Sequence, residues 1–462
     1  MSFLERYIKG IRFFLPTPFT IALLLTLFSM VVAMVWPWNY RENIHHWTEK
    51  TNFLFEYWYD GLWNVNGLAF AIQMMLMLLL GHVLALSPIV DKFIQSLLPI
   101  CKTNAKSVFT ITLLTLIVSW FNWGLGLVFG AIFCKKIMNY ANINKIALNP
   151  GLIGAAGYCG LMIWHGGISG SSLIKITEKG HLASLSNGAI KNLVPQTIDF
   201  SDTVFSTMNL VITLTLLFLV PTTMYWLGKK VKTEIPKLKE ENRGNSINNN
   251  LIGAEKIDNS KWTGRLIGIL IFSYCIWLAF KHPHTTSFQF INPNFLNLML
   301  FGLGLFFHGR ILSFLMATDN ASRGTVGILI QFPLYFGIMG IFKNTGIISD
   351  LSYFFQSISN ELTYPIFTFI SAGIVNFFVP SGGGQWYIQG PLVIQSSIEM
   401  GIPLNKSIMA LAYGDQLTNM MQPFWALPLL GITGLKAKDI LPFTLIIMLI
   451  GLFVFSLALL IF

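Results

Sequence analysis

Apolar residues along this chain fall in long unbroken runs, without the regular alternation of a half-solvated strand or helix. Runs long enough to cross a bilayer, which takes about 20 residues, occupy about 17–36, 63–86, 148–170, 203–227, 264–280, 293–309, 324–342, 407–431 and 441–462. Two further apolar stretches, about 106–134 and 362–396, are interrupted at the middle. The first break is Asn122-Trp123-Gly124-Leu125-Gly126 and the second is Pro380-Ser381-Gly382-Gly383-Gly384-Gln385. Each Gly disfavours helix by about 1 kcal/mol and Pro by about 3 kcal/mol. These stretches are therefore either broken spans or hairpins that enter and leave on one side.

Loop charge separates the two. With both stretches as re-entrant hairpins and a cytoplasmic N-terminus, one side collects Arg6, Lys9, Arg12, Lys92, Lys102, Lys106, Lys135, Lys136, Lys145, Lys436 and Lys438. It also collects the polar loop 228–263, with Lys229, Lys230, Lys232, Lys237, Lys239, Arg243, Lys256 and Lys261. The other side receives 37–62, where Glu42, Glu49, Glu56 and Asp60 outnumber Arg41 and Lys50. A first stretch that crossed only once would send the eight-cation loop outward, against the positive-inside rule. The hairpin arrangement is therefore expected.

Composition agrees with a lipid-facing surface. Of the 462 residues, 54% are hydrophobic and 11% charged, against about 25% charged in soluble domains. That excludes a cytosolic enzyme, a nucleic-acid binder and a disordered chain, and it assigns the net charge of +10 to basic loops. Cys101, Cys134, Cys159 and Cys275 lie in or beside apolar runs without metal or disulfide spacing, so they read as packing residues. The basic N-terminus precedes an apolar run too long for a secretory signal, with no cleavage site after it, so it reads as the first span.

The loop 228–263 separates two similar halves. Phe70-Ala71-Ile72-Gln73 is echoed by Ile328-Leu329-Ile330-Gln331, Gly124 and Gly126 by Gly382 and Gly384, and Tyr158 by Tyr413. Ser87-Pro88-Ile89-Val90-Asp91 is likewise echoed by Gly346-Ile347-Ile348-Ser349-Asp350. Five crossings separate corresponding spans, so the second copy is expected upside down. The predicted fold is an all-α polytopic membrane protein: two inverted halves, each with four spans and one re-entrant hairpin, plus a linking span. The first repeat would cover 1–227, the cytoplasmic linker and connecting span 228–292, and the second repeat 293–462. Inverted repeats of this kind typify secondary transporters that bind substrate where broken helices meet.

A hairpin tip at membrane depth is tolerated only where it lines a wet or protein-walled cavity. Its free N–H groups suit a carboxylate, and glycines admit a close ligand. Glycines also serve close helix packing in membranes. Asp415 is the ionisable residue that stands clearly inside a span, where a carboxylate costs about 2.5–3.5 kcal/mol. It reads as a proton carrier, part of a cation site, or a hydrogen-bonded carboxyl. His165 holds the corresponding place in the first half. Arg323 could pair with a carboxylate or snorkel to the interface. His45, His46, His82, His181, His282, His284 and His308 show no metal spacing, and no HExxH motif is present. A lipid-processing membrane enzyme would need a nucleophile–base set that is not evident.

Several stretches closely resemble the bacterial short-chain fatty acid transporter family. They are Phe121-Asn122-Trp123-Gly124-Leu125-Gly126-Leu127-Val128, Asn376 through Trp386, Gln389-Gly390-Pro391, Ala412-Tyr413-Gly414-Asp415-Gln416, and Asn419 through Pro428. The likeness extends over nearly the whole chain, including the Gln73 and Gln331 regions and Trp164 through Ser171. It implies an inner-membrane carrier for monocarboxylates such as acetoacetate or butyrate, within the ion-transporter superfamily of paired re-entrant hairpins. Members of that family can carry Glu where this chain has Asp415, and His where it has Gln385.

The expected site follows. Asn122, Ser381, Gly382, Gly383 and Gln385, with Gly124, Gly126 and Gly384 shaping the tips, would hold the carboxylate. Trp123 and Trp386 would wall the alkyl tail, and Asn419 and Gln422 would complete the pocket. Asp415, with His165, would take up H+ or help hold Na+, with Arg323 a candidate counter-ion. No cofactor is expected beyond that coupling ion. The expected partners are a small monocarboxylate and the lipid bilayer, with a homodimer left open and no nucleic acid. The alternative is a cation/proton antiporter of the same architecture in which Asp415 binds sodium.

Overall fold

The computed structural model describes residues 3–38, 47–186, 188–236, 253–281, 290, 292–322 and 325–462. Arg323 and the middle of the linker, 237–252, lie outside the described residues. Among the described residues there is no strand; one isolated antiparallel bridge joins Leu148 to Glu234. Among the described residues, seven helices are long and apolar enough to cross a membrane: Pro18–Val35, Trp47–Ala85, Asn104–Phe121, Thr207–Lys230, Lys261–Lys281, Val326–Asn344 and Ala437–Ile461. The linking helix Lys261–Lys281 has 17% of its apolar window buried, so it presents most of its surface outward.

Two expected spans are not continuous helices. The run at 148–170 forms Pro150–Tyr158 and a short tight turn of helix, Cys159–Met162, and then loses helical form. Helix resumes only at Ser171, because Gly166, Gly167 and Gly170 break the run. The run at 407–431 forms Leu404–Thr418, a tight turn Asn419–Met421, and Pro423–Thr433. Between them Gln422 is extended, with φ −86° and ψ 121°. Pro423 follows it, and the residue before a proline is pushed out of the helical region. We term these segments the first and second broken crossings.

Both interrupted stretches are hairpins of two helices. The first runs Asn104–Phe121 and Trp123–Ile143, longer than expected, with the turn compressed into Asn122. Asn122 is extended (φ −151°, ψ 121°), and its side-chain oxygen accepts from Leu125 N–H, relieving one unpaired donor of the new helix. The second runs Tyr364–Asn376 and Gly382–Glu399. Ser381 has the same extended backbone (φ −150°, ψ 105°) and caps Gly384 N–H in the same way. The two caps have the same geometry.

Hydrogen bonds at the helix ends fix the direction of each segment. Asn104, at the foot of the first hairpin, donates to Gly228 O (2.8 Å) and accepts from Asn149 N–H (2.9 Å). Asn149 donates to Lys232 O (2.8 Å), and Leu148 and Glu234 exchange backbone hydrogen bonds. Lys232 pairs with Glu5 (3.2 Å), Arg12 pairs with Asp439 (3.3 Å), and Tyr7 donates to Pro442 O (3.0 Å). The foot of the first hairpin, its exit, the end of Thr207–Lys230, the N-terminal helix and the start of the last helix therefore share one basic end. The stretch from Asn104 to Asn149 begins and ends at this basic end. At the far end, Asn405 donates to Asp202 O (3.0 Å). The first broken crossing thus starts at the basic end and the second starts at the far end, so they run in opposite directions.

Single cysteines at Lys145 and Lys232, both exposed, should react with an impermeant maleimide from one side of the membrane. Cysteines at the exposed Lys179 and Ser201 should react from the other. The native Cys101, Cys134, Cys159 and Cys275 are buried and should contribute little background. Labelling of Lys145 and Lys232 positions from opposite sides would contradict this topology.

Candidate functional site

A helix that stops inside the bundle leaves N–H and C=O groups that lipid cannot pair, so side chains must do it. At the first break, the N–H groups of His165 and Gly166 donate to Gln416 Oε1 (2.9 and 3.3 Å). Gly166 O accepts from Asn209 Nδ2 (2.8 Å), and Asn209 Oδ1 accepts from the Tyr413 hydroxyl (2.9 Å). At the second break, the Tyr158 hydroxyl faces Asn419 O (2.7 Å) and Gln422 O (3.0 Å). Asn376 Nδ2 reaches Asp415 O, Thr418 Oγ1 and Asn419 Oδ1 at 2.7–2.9 Å, while Gln422 donates to Asn376 O. Each break is thus completed largely by the other break or by the second hairpin.

Between the breaks lies a buried acid–base pair. His165 Nδ1 stands 3.3 Å from Asp415 Oδ2, and the two side chains are 0% and 1% exposed. His165 Nε2 faces the Ser172 hydroxyl (3.1 Å) and the Ser172 N–H (3.4 Å). A backbone N–H can only donate, so Nε2 accepts and the ring proton of a neutral His165 sits on Nδ1, toward Asp415. The His165 ring stacks on Trp164 with centroids 4.4 Å apart. The pair is at ion-pair distance but outside hydrogen-bond geometry. Both Asp415 oxygens therefore lack a donor, as Asn419 Nδ2, Asn376 Oδ1 and Gln422 Oε1 lack partners. A buried polar group without a partner costs about 1–3 kcal/mol, so this cluster is built to meet something polar. Among the described residues no group of three or more His, Cys, Asp or Glu could hold a metal ion.

Both hairpin tips pack against the breaks. At the first tip, Trp123 N–H donates to Ser169 Oγ and Ile168 N–H to Trp120 O, both at 2.9 Å. Trp123 packs on Trp164 and Trp425, with centroids 5.7 and 5.3 Å away. At the second tip, a Cβ on Gly382 would lie 2.9 Å from both Asp415 Oδ2 and His165 Cε1. Gly383 is open, with Ser171 Cβ its nearest neighbour at 4.0 Å.

The other expected residues have different surroundings. Gly124 and Gly126 lie inside the second leg of the first hairpin, where a Cβ would overlap Met77 Sδ and Ser119 Oγ respectively; they permit close packing. Gly384 sits over the Ser381 cap. Gln385 turns away from Asp415, donating to Ala372 O (2.8 Å) and Gln389 Oε1 (2.7 Å). Trp386 is fully buried, and its indole N–H donates to His181 Nε2 (3.0 Å). Burial lowers the His181 pKa, which favours the neutral ring this bond requires. Tyr158, Ser169, Ser172, Asn209, Asn376 and Gln416 were not expected in the site. Their signals in the sequence are polarity beside a glycine run or inside a span, the Tyr158–Tyr413 echo, and, for Ser169, Asn376 and Gln416, a place in the family-like stretches.

The chain can now be set beside known proteins. The family model described as "Short chain fatty acid transporter" matches residues 3–462. The chain belongs to the short-chain fatty acid transporter family. This transporter is 36% identical over 438 residues to a Haemophilus influenzae protein named "Putative short-chain fatty acid transporter", covering 93% of this chain and 92% of the relative. An Escherichia coli protein of the same name is 34% identical over 449 residues, covering 95% and 94%. Among solved structures, Neisseria gonorrhoeae MtrF, of a class of antimetabolite efflux pumps, aligns with TM-score 0.43 and 12% identity, covering 99% of this chain and 97% of that one. The Alcanivorax borkumensis YdaH transporter aligns with TM-score 0.44 and 14% identity, covering 96% and 97%. The protein is thus a multi-pass membrane transporter and not an enzyme.

The Tyr158 hydroxyl serves two carbonyls of the second break. Tyr158→Phe should therefore destabilise the transporter by about 1–3 kcal/mol, read as a lower melting temperature of detergent-purified protein. An unchanged melting temperature would mean that water pairs Asn419 O and Gln422 O equally well.

Proposed function

We propose that this transporter carries short-chain monocarboxylates of the butyrate and acetoacetate class across the bacterial inner membrane, with H+ or Na+ as the coupling ion. The observation that carries the reading is the unpartnered Asp415 carboxylate. It is buried against His165, beside two broken crossings and beneath the Gly382 tip. The basic end, with Arg12, Lys145, Lys232 and Lys436, faces the cytoplasm in this proposal, and both hairpins dip into the membrane and return. The opposed directions of the broken crossings and the matching Asn122 and Ser381 caps support an inverted repeat.

A short fatty acid has a carboxyl pKa near that of Glu, about 4.3, so well under 1% is neutral at pH 7. The anion needs a polar path, and its charge must be balanced. Asn122, Ser381, Gly382 and Gly383 at the tips, with Asn419 and Gln422 at the second break, supply donors for the carboxylate. Asp415 accepts the coupling ion. Of the two ions the proton is favoured here, because His165 Nδ1 stands 3.3 Å from Asp415 Oδ2 and a ring nitrogen can pass a proton on. Co-movement of one proton with one carboxylate carries no net charge, so loading and return are not opposed by the membrane field.

Purified transporter in proteoliposomes should accumulate labelled butyrate above empty liposomes, and an inward pH gradient should raise the rate. Asp415→Asn should lower gradient-driven uptake at least tenfold while leaving butyrate/butyrate exchange measurable. Equal uptake with and without protein would sink the function. Proton movement driven by sodium alone, with no acid required, would replace it with the cation/proton antiporter.

A further inference from the structure

The helix Phe3–Phe14 lies across the basic end of the bundle. Near its start, Glu5 pairs with Lys232, just past the end of Thr207–Lys230 (3.2 Å). Near its finish, Arg12 pairs with Asp439 in the first turn of Ala437–Ile461 (3.3 Å). Tyr7, between them, donates to Pro442 O of that same helix (3.0 Å). Glu5 and Arg12 are about 10 Å apart along the axis at about 1.5 Å per residue. Both ends of the helix therefore touch one end of the bundle, and its axis crosses that end instead of following the spans. Leu4 and Ile8 pack inward on the core. At about 100° per residue, Arg6, Lys9 and Phe13 fall together on the opposite face. Arg6 and Lys9 are exposed and have no ion-pair partner among the described residues. Phe13 and Phe14 are 83% and 81% exposed, and their rings meet edge to face with centroids 5.3 Å apart.

This mixture of side chains selects its surroundings. Water would leave two phenyl rings uncovered, and hydrocarbon would strip two cations of their hydration. The headgroup layer offers anions beside the cations and acyl chains beside the rings. Glu5 and Asp439 already neutralise Lys232 and Arg12, whereas Arg6 and Lys9 keep their charge. Lys436 and Lys438, exposed at the turn that Arg12 binds, add to it. We infer that Phe3–Phe14 is an interfacial helix that docks anionic phospholipid, with Arg6 and Lys9 on the headgroup phosphate and Phe13 and Phe14 among the upper acyl carbons. A zwitterionic headgroup brings a cation of its own, which Arg6 and Lys9 repel. A soluble polyanion would meet the cations but leave the rings in water. The helix is tied by its ion pairs to the end of one span and the start of another, so a lipid held there stabilises the folded protein by mass action. Docking at this face is independent of what the transporter carries.

The test follows the melting temperature of the detergent-purified transporter during titration with phosphatidylglycerol, phosphatidylcholine or inorganic phosphate. Phosphatidylglycerol should raise it at lower concentration than phosphatidylcholine, and phosphate should leave it unchanged. Arg6→Gln with Lys9→Gln should weaken the apparent affinity for phosphatidylglycerol by about fivefold per cation removed. Lys179→Gln with Lys191→Gln, exposed cations of the far end, should leave it within twofold of wild type. Equal stabilisation by the two lipids or by phosphate overturns the site. So does an affinity of the Arg6/Lys9 variant within twofold of wild type. A second measurement does not depend on stability. In phosphatidylglycerol proteoliposomes, a bimane on Phe13→Cys should be quenched by lipid brominated high on the acyl chain and shielded from aqueous iodide; the native cysteines are buried. Quenching by iodide without quenching by the brominated lipid overturns the docked position.

Discussion

Every backbone N–H and C=O inside a bilayer needs a partner within the protein, because the surrounding hydrocarbon offers none. The rest of this structure depends on how that constraint is met where two crossings stop being helical. Gln416 and Asn209 complete the first break, while Tyr158 and Asn376 complete the second. The partners are exchanged: Gln416 belongs to the second crossing and Tyr158 to the first. Neither break could therefore form alone in lipid. Their pairing couples the two broken crossings through directional bonds, which apolar packing between helices would not do.

The exchange also decides what remains free. Bonds from Tyr158, Asn209, Gln416 and Asn376 satisfy main-chain atoms at the breaks. Left over are the outer atoms of side chains: both Asp415 oxygens, Asn419 Nδ2 and Gln422 Oε1. Removing one member of a buried ion pair is typically worse than never having built it, since an uncompensated charge remains. The His165–Asp415 pair stands at ion-pair distance without hydrogen-bond geometry. A proton or a ligand arriving there meets groups that gain partners.

The fold was more legible in sequence than the site, for physical reasons. Span positions follow from apolar run length, and the helix interruptions at Asn122 and Ser381 follow from the polar and glycine residues there. Both signals are local and additive along the chain. The breaks at 163–170 and 419–422 were read through as continuous helix, because their apolar flanks hide a short irregular segment. Pro423 was the available clue for the second break, and the Gly166, Gly167 and Gly170 run for the first. Asp415, His165, Asn419 and Gln422 stood out as polar residues in apolar runs, and the structure brings them together. The direction of Gln385 and Trp386 did not show in the sequence. Both follow the glycine tip, but a helix turns its side chains about 100° per residue, and only packing against Ala372, Gln389 and His181 fixes which way they face.

Gly382 makes the same distinction at a single position. Its backbone is not left-handed, so conformational freedom does not explain the glycine. Proximity does: a methyl there would press on Asp415 Oδ2 and His165 Cε1 at 2.9 Å and on Trp164 at 3.0 Å. The second tip thus closes over the acid–base pair with only hydrogen atoms between. That tip is anchored at its rear by the Trp386–His181 bond and along its length by Gln385 and Gln389. None of these contacts is made to the first hairpin. The first tip is instead bonded to Ser169 and Ile168 of the first broken crossing. The two tips are thus held by different elements of the chain.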